Sequence, residues 1–132
     1  MYLKVSEQYN RALLAGRWYR MEMNDNGHQL VEYAELCLDG SFEFSFVEQN
    51  SKGETLSQNI ELGDWGLVGD IHFTITQEEV ADNEHFRSDL ADENNYHAYK
   101  VLALDSQIFK YQHVVSNEVF ILRRVIDKIG HC

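Results

Sequence analysis

Apolar and polar residues alternate along most of this chain, turn signals recur every ten residues or so, and none of its 132 residues is proline. Proline lacks the backbone donor that a sheet ladder needs and is confined to edges, strand starts and bulges, so strands here can run uninterrupted. Strand-like runs cover 17–24, 28–38, 41–49, 54–62, 65–69, 71–77, 95–104 and 107–115, with a further one at 118–126. Their joints are Asn24-Asp25-Asn26-Gly27, Asp39-Gly40, Asn50-Ser51-Lys52-Gly53, Gly69-Asp70, Asp105-Ser106 and Ser116-Asn117. Glycine, asparagine and aspartate tolerate the left-handed conformations of tight hairpin turns. The pattern predicts an all-β protein built as an up-and-down antiparallel barrel. It has eight strands when 54–69 is one bent strand and nine when that stretch is divided, with ten left open.

With 44% hydrophobic residues the chain is long enough to bury its own core and too short for two domains. One domain over 1–132 is expected, with a short N-terminal helix at 1–15, the barrel at 16–126 and a tail at 127–132. The helix is read from Leu3, Val5, Tyr9, Leu13 and Leu14, which recur at roughly helical spacing until Gly16 stops the pattern. A net charge of -11, from 22 acidic against 11 basic residues, opposes binding to nucleic acid or to an anionic membrane. No run of about 18 apolar residues spells a membrane span, and the N-terminal stretch lacks a signal-peptide core. A cytoplasmic protein is expected. Cys37 and Cys132 form neither a disulfide framework nor a metal-ligand spacing, and are read as free thiols.

Two-residue turns at 105–106 and 116–117 determine which side chains share a face. Tyr96, Ala98, Leu102, Leu104, Phe109, Tyr111, His113, Phe120, Leu122 and Arg124 fall together and are expected inside. His97, Lys110, Gln112 and Arg123 fall on the other face. Phe42, Phe44 and Phe46 alternate with Glu43 and Ser45, and Ile71, Phe73 and Ile75 alternate with His72 and Thr74. Those six apolar side chains are also expected to point inward. The enclosed volume is then either filled by them or left partly open for a ligand.

Gly16-Arg17-Trp18 opens the first strand after the helical segment, and Arg124 falls inside near the end of the last. This resembles the Gly-x-Trp signature of the lipocalin and wider calycin superfamily. Gly63-Asp64-Trp65 followed by Gly69-Asp70-Ile71-His72-Phe73-Thr74 is similar to the mid-barrel stretch of small bacterial lipocalin-like domains. The resemblance implies that Arg124 packs across Trp18 and closes one barrel end. Secreted lipocalins carry a signal peptide, disulfides and a long helix after the barrel, none of which is read here. Fatty-acid-binding proteins insert a helix-turn-helix after the first strand, where this chain has the tight turn at 24–27.

An inward Trp18 sends Arg20 and Glu22 inward by strict alternation, whereas the apolar set on that strand is Tyr19, Met21 and Met23. Burying an unpaired charge costs several kcal/mol. Either a bulge after Trp18 flips the register, or Arg20 and Glu22 sit inside as a pair. His113 beside Tyr111 is a candidate base or ligand, or a hydrogen-bonded core histidine. His72 and His97 fall outside by parity, and His28, His85 and His131 lie in turns, a loop or the tail. No HxH or HExxH spacing suggests a metal, and no cofactor is expected. Residues 78–94, acidic and without alternation, are expected to form a solvated connection or short helix anchored by Phe86 and Leu90, placed to gate the open end.

These features favour a non-catalytic binder of a small apolar or amphipathic molecule, because such ligands suit concave aromatic sites with a few polar groups. The expected ligand-binding residues are Arg20, Phe42, Phe44, Phe46, Phe73, Phe109, Tyr111, His113 and Phe120, with Trp18 and Arg124 structural and none catalytic. A second reading is an isomerase- or cyclase-type calycin enzyme using Tyr111, His113, Arg20 and Glu22. A third is a protein interaction module with a filled barrel. The outer face of the last three strands carries Val101, Ala103, Ile108, Val114, Val119, Ile121 and Val125, enough apolar surface to expect the helix or a homodimer partner to cover it.

Overall fold

The computed structural model describes residues 8–126. Helix α1 (Arg11–Leu14) precedes strands β1 (Gly16–Met23), β2 (Gln29–Leu36), β3 (Ser41–Gln49), β4 (Thr55–Val68) and β5 (Ile71–Ala81). Strands β6 (Glu84–Arg87), β7 (Tyr96–Leu104), β8 (Ile108–His113) and β9 (Val119–Arg124) complete the chain, with a 3-10 turn at Glu93–Asn95. Antiparallel neighbours run β1-β2-β3-β4-β5-β7-β8-β9 and β9 returns to β1, so eight strands close into a barrel and β6 stands beside the ring. The all-β barrel is as expected, and 55–68 is indeed one strand. Among the described residues the helix is a single turn capped by the Asn10 side chain, which accepts from the backbone N–H of Ala12 at 2.9 Å. Residues 1–7 and 127–132, with Leu3, Val5, His131 and Cys132 of the expectations above, lie outside the described residues.

Sidedness depends on two bulges. β4 slips against β5 between Leu62 and Gly63, and β7 slips against β8 between Val101 and Ala103. Because side chains alternate with a period of two, one extra residue exchanges the faces beyond it. On β7 this corrects the expected interior. His97, Tyr99 and Val101 face inward, Tyr96, Ala98 and Leu102 face outward, and Leu104 regains the inner face opposite Phe109. On β5 the inner residues are His72, Thr74 and Thr76, all buried, so Ile71, Phe73 and Ile75 face out. The Phe73 ring lies over Gly66, where a Cβ would collide with it; Phe73 does not line the interior. Strands β8 and β9 follow the expected facing, with Phe109, Tyr111 and His113 on one and Phe120, Leu122 and Arg124 on the other.

β1 holds a continuous register against β2 from Gly16↔Leu36 to Met23↔Gln29. With no bulge after Trp18, Arg20 and Glu22 point inward, and Met21 and Met23 are left 58% and 66% exposed. The stretch 78–94 is not the irregular connection expected. β5 continues to Ala81, Asp82 and Asn83 turn with φ of 51° and 66°, and β6 pairs back on it. Phe86 and Leu90 are exposed rather than buried anchors, although the Leu90 carbonyl accepts from the Tyr96 hydroxyl at 2.9 Å. The crossing from β6 to β7 is held by its own side chains, Asp89 accepting from Ala91 N–H and Asp92 from Asn94 N–H.

Candidate functional site

One end of the barrel is packed shut. Leu14, Trp18, Ala34, Leu36, Phe42, Trp65, Val101, Phe109, Tyr111 and Leu122 form a buried cluster, with Trp18 fully enclosed. The Arg124 guanidinium lies 3.9 Å from the Trp18 ring centroid. It donates to the Ala15 carbonyl at 2.8 Å, to the Leu13 carbonyl and to the Ser106 carbonyl. Stacking with fixed acceptors suits a guanidinium that burial would otherwise leave poorly solvated. The indole N–H of Trp18 donates to the Leu14 carbonyl at 2.9 Å, tying α1 to the plug. Gly16 has φ +132° and sits under the guanidinium, so a side chain there would overlap it. A second such pair escaped sequence reasoning, Arg11 lying 4.6 Å over Trp65, whose indole N–H donates to the Cys37 carbonyl at 2.8 Å.

The other half is open and polar. Across its wall run two rungs of inward residues, Arg20-Glu32-Phe46-Asn59 and, one step deeper, Trp18-Ala34-Phe44-Glu61-Glu79. A pocket of about 200 Å³ at this mouth is lined by Arg20, Glu22, Leu30, Glu32, Phe46 and Asn59, among others. Arg20 donates to Glu32, lies 3.7 Å from Glu22 and sits 5.0 Å over the Phe120 ring. Burial opposes its charge, yet Glu32 and Glu22 outweigh this and raise its pKa. Glu48 is paired with His28 at 2.8 Å. Glu61 has no such partner, and burial, followed by the fields of Glu79 and Glu32, raises its pKa.

Tyrosines and histidines face these glutamates from β7 and β8. Burial, then Glu32 and Glu61, pushes Tyr99 up to about 12, and burial with Glu32 raises the Tyr111 hydroxyl well above its ordinary value. Both stay neutral. His113 Nδ1 accepts from the backbone N–H of Val115 and Ser116 at 3.1 and 3.2 Å, which leaves its proton on Nε2. That Nε2–H faces His97 Nδ1 at 3.1 Å, and His97 also hydrogen-bonds the backbone at Asn94. Each ring thus carries one proton, and burial with His113 nearby holds the His97 pKa down. His72, expected outside, is buried among Trp65, Tyr99, Phe109 and Tyr111, its Nδ1–H donating to the Gly66 carbonyl at 3.2 Å.

Of the residues singled out from sequence, Arg20 and Phe46 line the mouth pocket, Phe44 and Phe120 pack against the buried cluster to which Tyr111 belongs, and His113 pairs with His97. Phe42 and Phe109 belong to the plug, and Phe73 is outside. Glu32, Glu61, His97 and Tyr99 were missed. The register Arg20↔Glu32 was the available signal for the first, since a buried arginine needs a counter-charge on a neighbouring strand. Among the described residues, no group of three or more His, Cys, Asp or Glu is placed to hold a metal ion, and no helix is long and apolar enough to cross a membrane.

No protein-family model matches the sequence, and no curated protein matches it. Among solved structures the chain is similar to a lipocalin-like protein from Bacteroides uniformis ATCC 8492, with a TM-score of 0.51 and 17% sequence identity, over 86% of this chain and 99% of that one. With one barrel end closed by an arginine on a tryptophan, and eight strands returning on themselves, the fold of this chain is lipocalin-like.

Proposed function

We propose that the protein binds a small amphipathic molecule, non-catalytically, in the open half of its barrel. The observation that carries this reading is the division of the interior into a dry plug and an open mouth pocket of about 200 Å³. That volume is below the range of drug-sized sites, which suits a small ligand. Phe44, Phe46 and Phe120 offer apolar contact, and Arg20, Tyr111 and His113 polar contact. Tyr99 and Tyr111, both raised far from neutral pH, are poorly matched to acid–base work, which weakens the enzyme reading. A homodimer through the outer face of β7–β9 is part of the proposal.

Titration with an environment-sensitive apolar dye tests the binding. Phe44→Ala should weaken it by about 1 kcal/mol or more, in keeping with lost apolar contact, and Glu84→Ala at the exposed tip of β6 should leave it unchanged. A wild-type protein that binds no hydrophobic probe would turn the reading toward an interaction module.

A further inference from the structure

Two loops meet at the open end of the barrel, the turn 114–118 between β8 and β9 and the connection 88–95 that leads into β7. β9 runs antiparallel to β1, so its start lies at the same end as Glu22 of the mouth pocket, and Arg20 of that pocket sits over Phe120, two residues beyond the turn. The loops are joined through two imidazole rings. Val115 and Ser116 N–H donate to His113 Nδ1, His113 Nε2–H donates to His97 Nδ1, and His97 hydrogen-bonds the backbone at Asn94 in the 3-10 turn. Nδ1 of each ring is an acceptor in this chain, which therefore holds only while each ring carries one proton. A further proton has two places to go. On His113 Nδ1 it points at the N–H groups of Val115 and Ser116, and the turn must release the ring. On His97 Nδ1 it points at His113 Nε2–H. Either the rings then part, or the His113 proton moves to Nδ1 and meets the same two turn N–H groups. Every site of uptake breaks a link.

Nothing around the rings holds that proton with the chain intact. Tyr99 packs against both, with centroids 6.3 Å from His97 and 5.1 Å from His113, and it stays neutral, as does Tyr111 on β8. From β5, Thr74 faces His97 in register and is uncharged, and His72 stacks on Tyr99. The nearby carboxylates are Glu118, whose backbone carbonyl accepts from His113 N–H, and Glu93 beside Asn94, while Glu32 and Glu61 act on Tyr99 from across the interior. Among the described residues none of them forms an ion pair with either ring. Both rings are half-buried, so solvent protons reach them. Burial, then His113, holds the His97 pKa below its ordinary value, which puts the step on the acid side of about 6.5.

Resting on the binding reading above, we propose that the His97–His113 pair is a proton-operated clasp on the open half. At neutral pH it holds the turn 114–118 to the connection into β7, and uptake of one proton releases both loops and, with them, the ligand. The ladder bonds below the turn, His113 N–H to the Glu118 carbonyl and Asn117 N–H to the His113 carbonyl, involve neither ring, so the opening is confined to the mouth.

Nuclear magnetic resonance of the wild-type protein from about pH 8 to about pH 5, either side of the ordinary histidine value, tests the clasp. The ring nitrogens of His97 and His113 should move together with one midpoint. Over that step the Val115 and Ser116 amides should exchange at least about tenfold faster, while the amides of β1 and β2 stay protected. Rings that titrate at separate midpoints, or turn amides that do not respond, would overturn the proposal. A neutral apolar dye should lose affinity several-fold across the same step. In His97→Phe the link is absent at every pH, so dye affinity should be low and nearly level; a drop of the wild-type size there would assign the step to another group. If that variant fails to fold, the wild-type titration decides alone. Dye affinity that stays level while the amides respond would overturn the release of ligand and leave the binding reading standing. If the dye binds at neither pH, the binding reading falls, and the amides still decide the clasp.

Discussion

A histidine that sequence parity places outside is, in the structure, the most consequential titratable residue of the core. His72 is 3% exposed and ringed by aromatic side chains, and burial lowers its pKa to about 4. An unfolded histidine titrates near 6.5, so below that pH the unfolded chain takes up a proton that the folded one refuses. Stability is therefore complete above the unfolded pKa and is lost as pH falls from about 6.5 toward about 4. The span corresponds to a loss on the order of 3 kcal/mol. Glu61, with its raised pKa, acts in the opposite sense and offsets part of it. Urea midpoints measured between neutral pH and pH near 4 should fall steeply for the wild type and more gently for His72→Phe. Equal slopes would show that His72 is not the proton-linked group.

Bulges explain most of what sequence pattern could and could not show about the elements. Strand existence, the hairpin turns and the facing of β8 and β9 were legible because alternation there is unbroken and the turns carry glycine, asparagine or aspartate. The Trp18–Arg124 contact was legible through resemblance and pairing together. The inner faces of β5 and β7 were not, since His72, Thr74 and Thr76 are polar residues on a buried wall while Phe73 and Ile75 look like core. The open half was illegible for a related reason. Apart from Glu22, which alternation from Trp18 could place inside, its glutamates read as solvent-facing polar positions, and it is the strand register that turns them to a common interior. Gly63 is the residue of β4 that faces the bulge of β5 at Gln77, and a Cβ there would collide with the Ile75 carbonyl and crowd the Phe42 ring. The clash is with backbone, so relief requires the strand to move. Gly63→Ala should destabilise the fold by about 2 kcal/mol or more by denaturant unfolding, in the range of overpacked cores. An unchanged midpoint would show that the two strands can pair closely without it.

At the scale of the molecule, the outer face of β7–β9 remains apolar, although Val101 has turned inward. Leu102, Val114, Val119 and Ile121 are all exposed, a larger apolar surface than monomers usually leave to water. Sedimentation at micromolar concentration should give twice the mass of the chain, and Ile121→Glu should return it to a monomer by placing a charge in the interface. A wild type that sediments as a monomer would remove the homodimer.

The seam between β1 and β9 joins residues far apart in the chain. It rests on Trp18↔Arg124, Tyr19↔Arg123, the Val125 N–H to the Arg17 carbonyl, and the guanidinium bonds of Arg124 to carbonyls 109 and 111 positions earlier. A ribosome delivers β1 long before its partner exists. Until residues 119–124 emerge, β1 and β8 both present bare backbone edges, which are templates for pairing with other chains, and so distant a closure is slow. The newborn protein thus passes through a stage in which it is a sticky open sheet, and its yield in a cell depends on how well that interval is shielded as well as on the strength of the finished barrel.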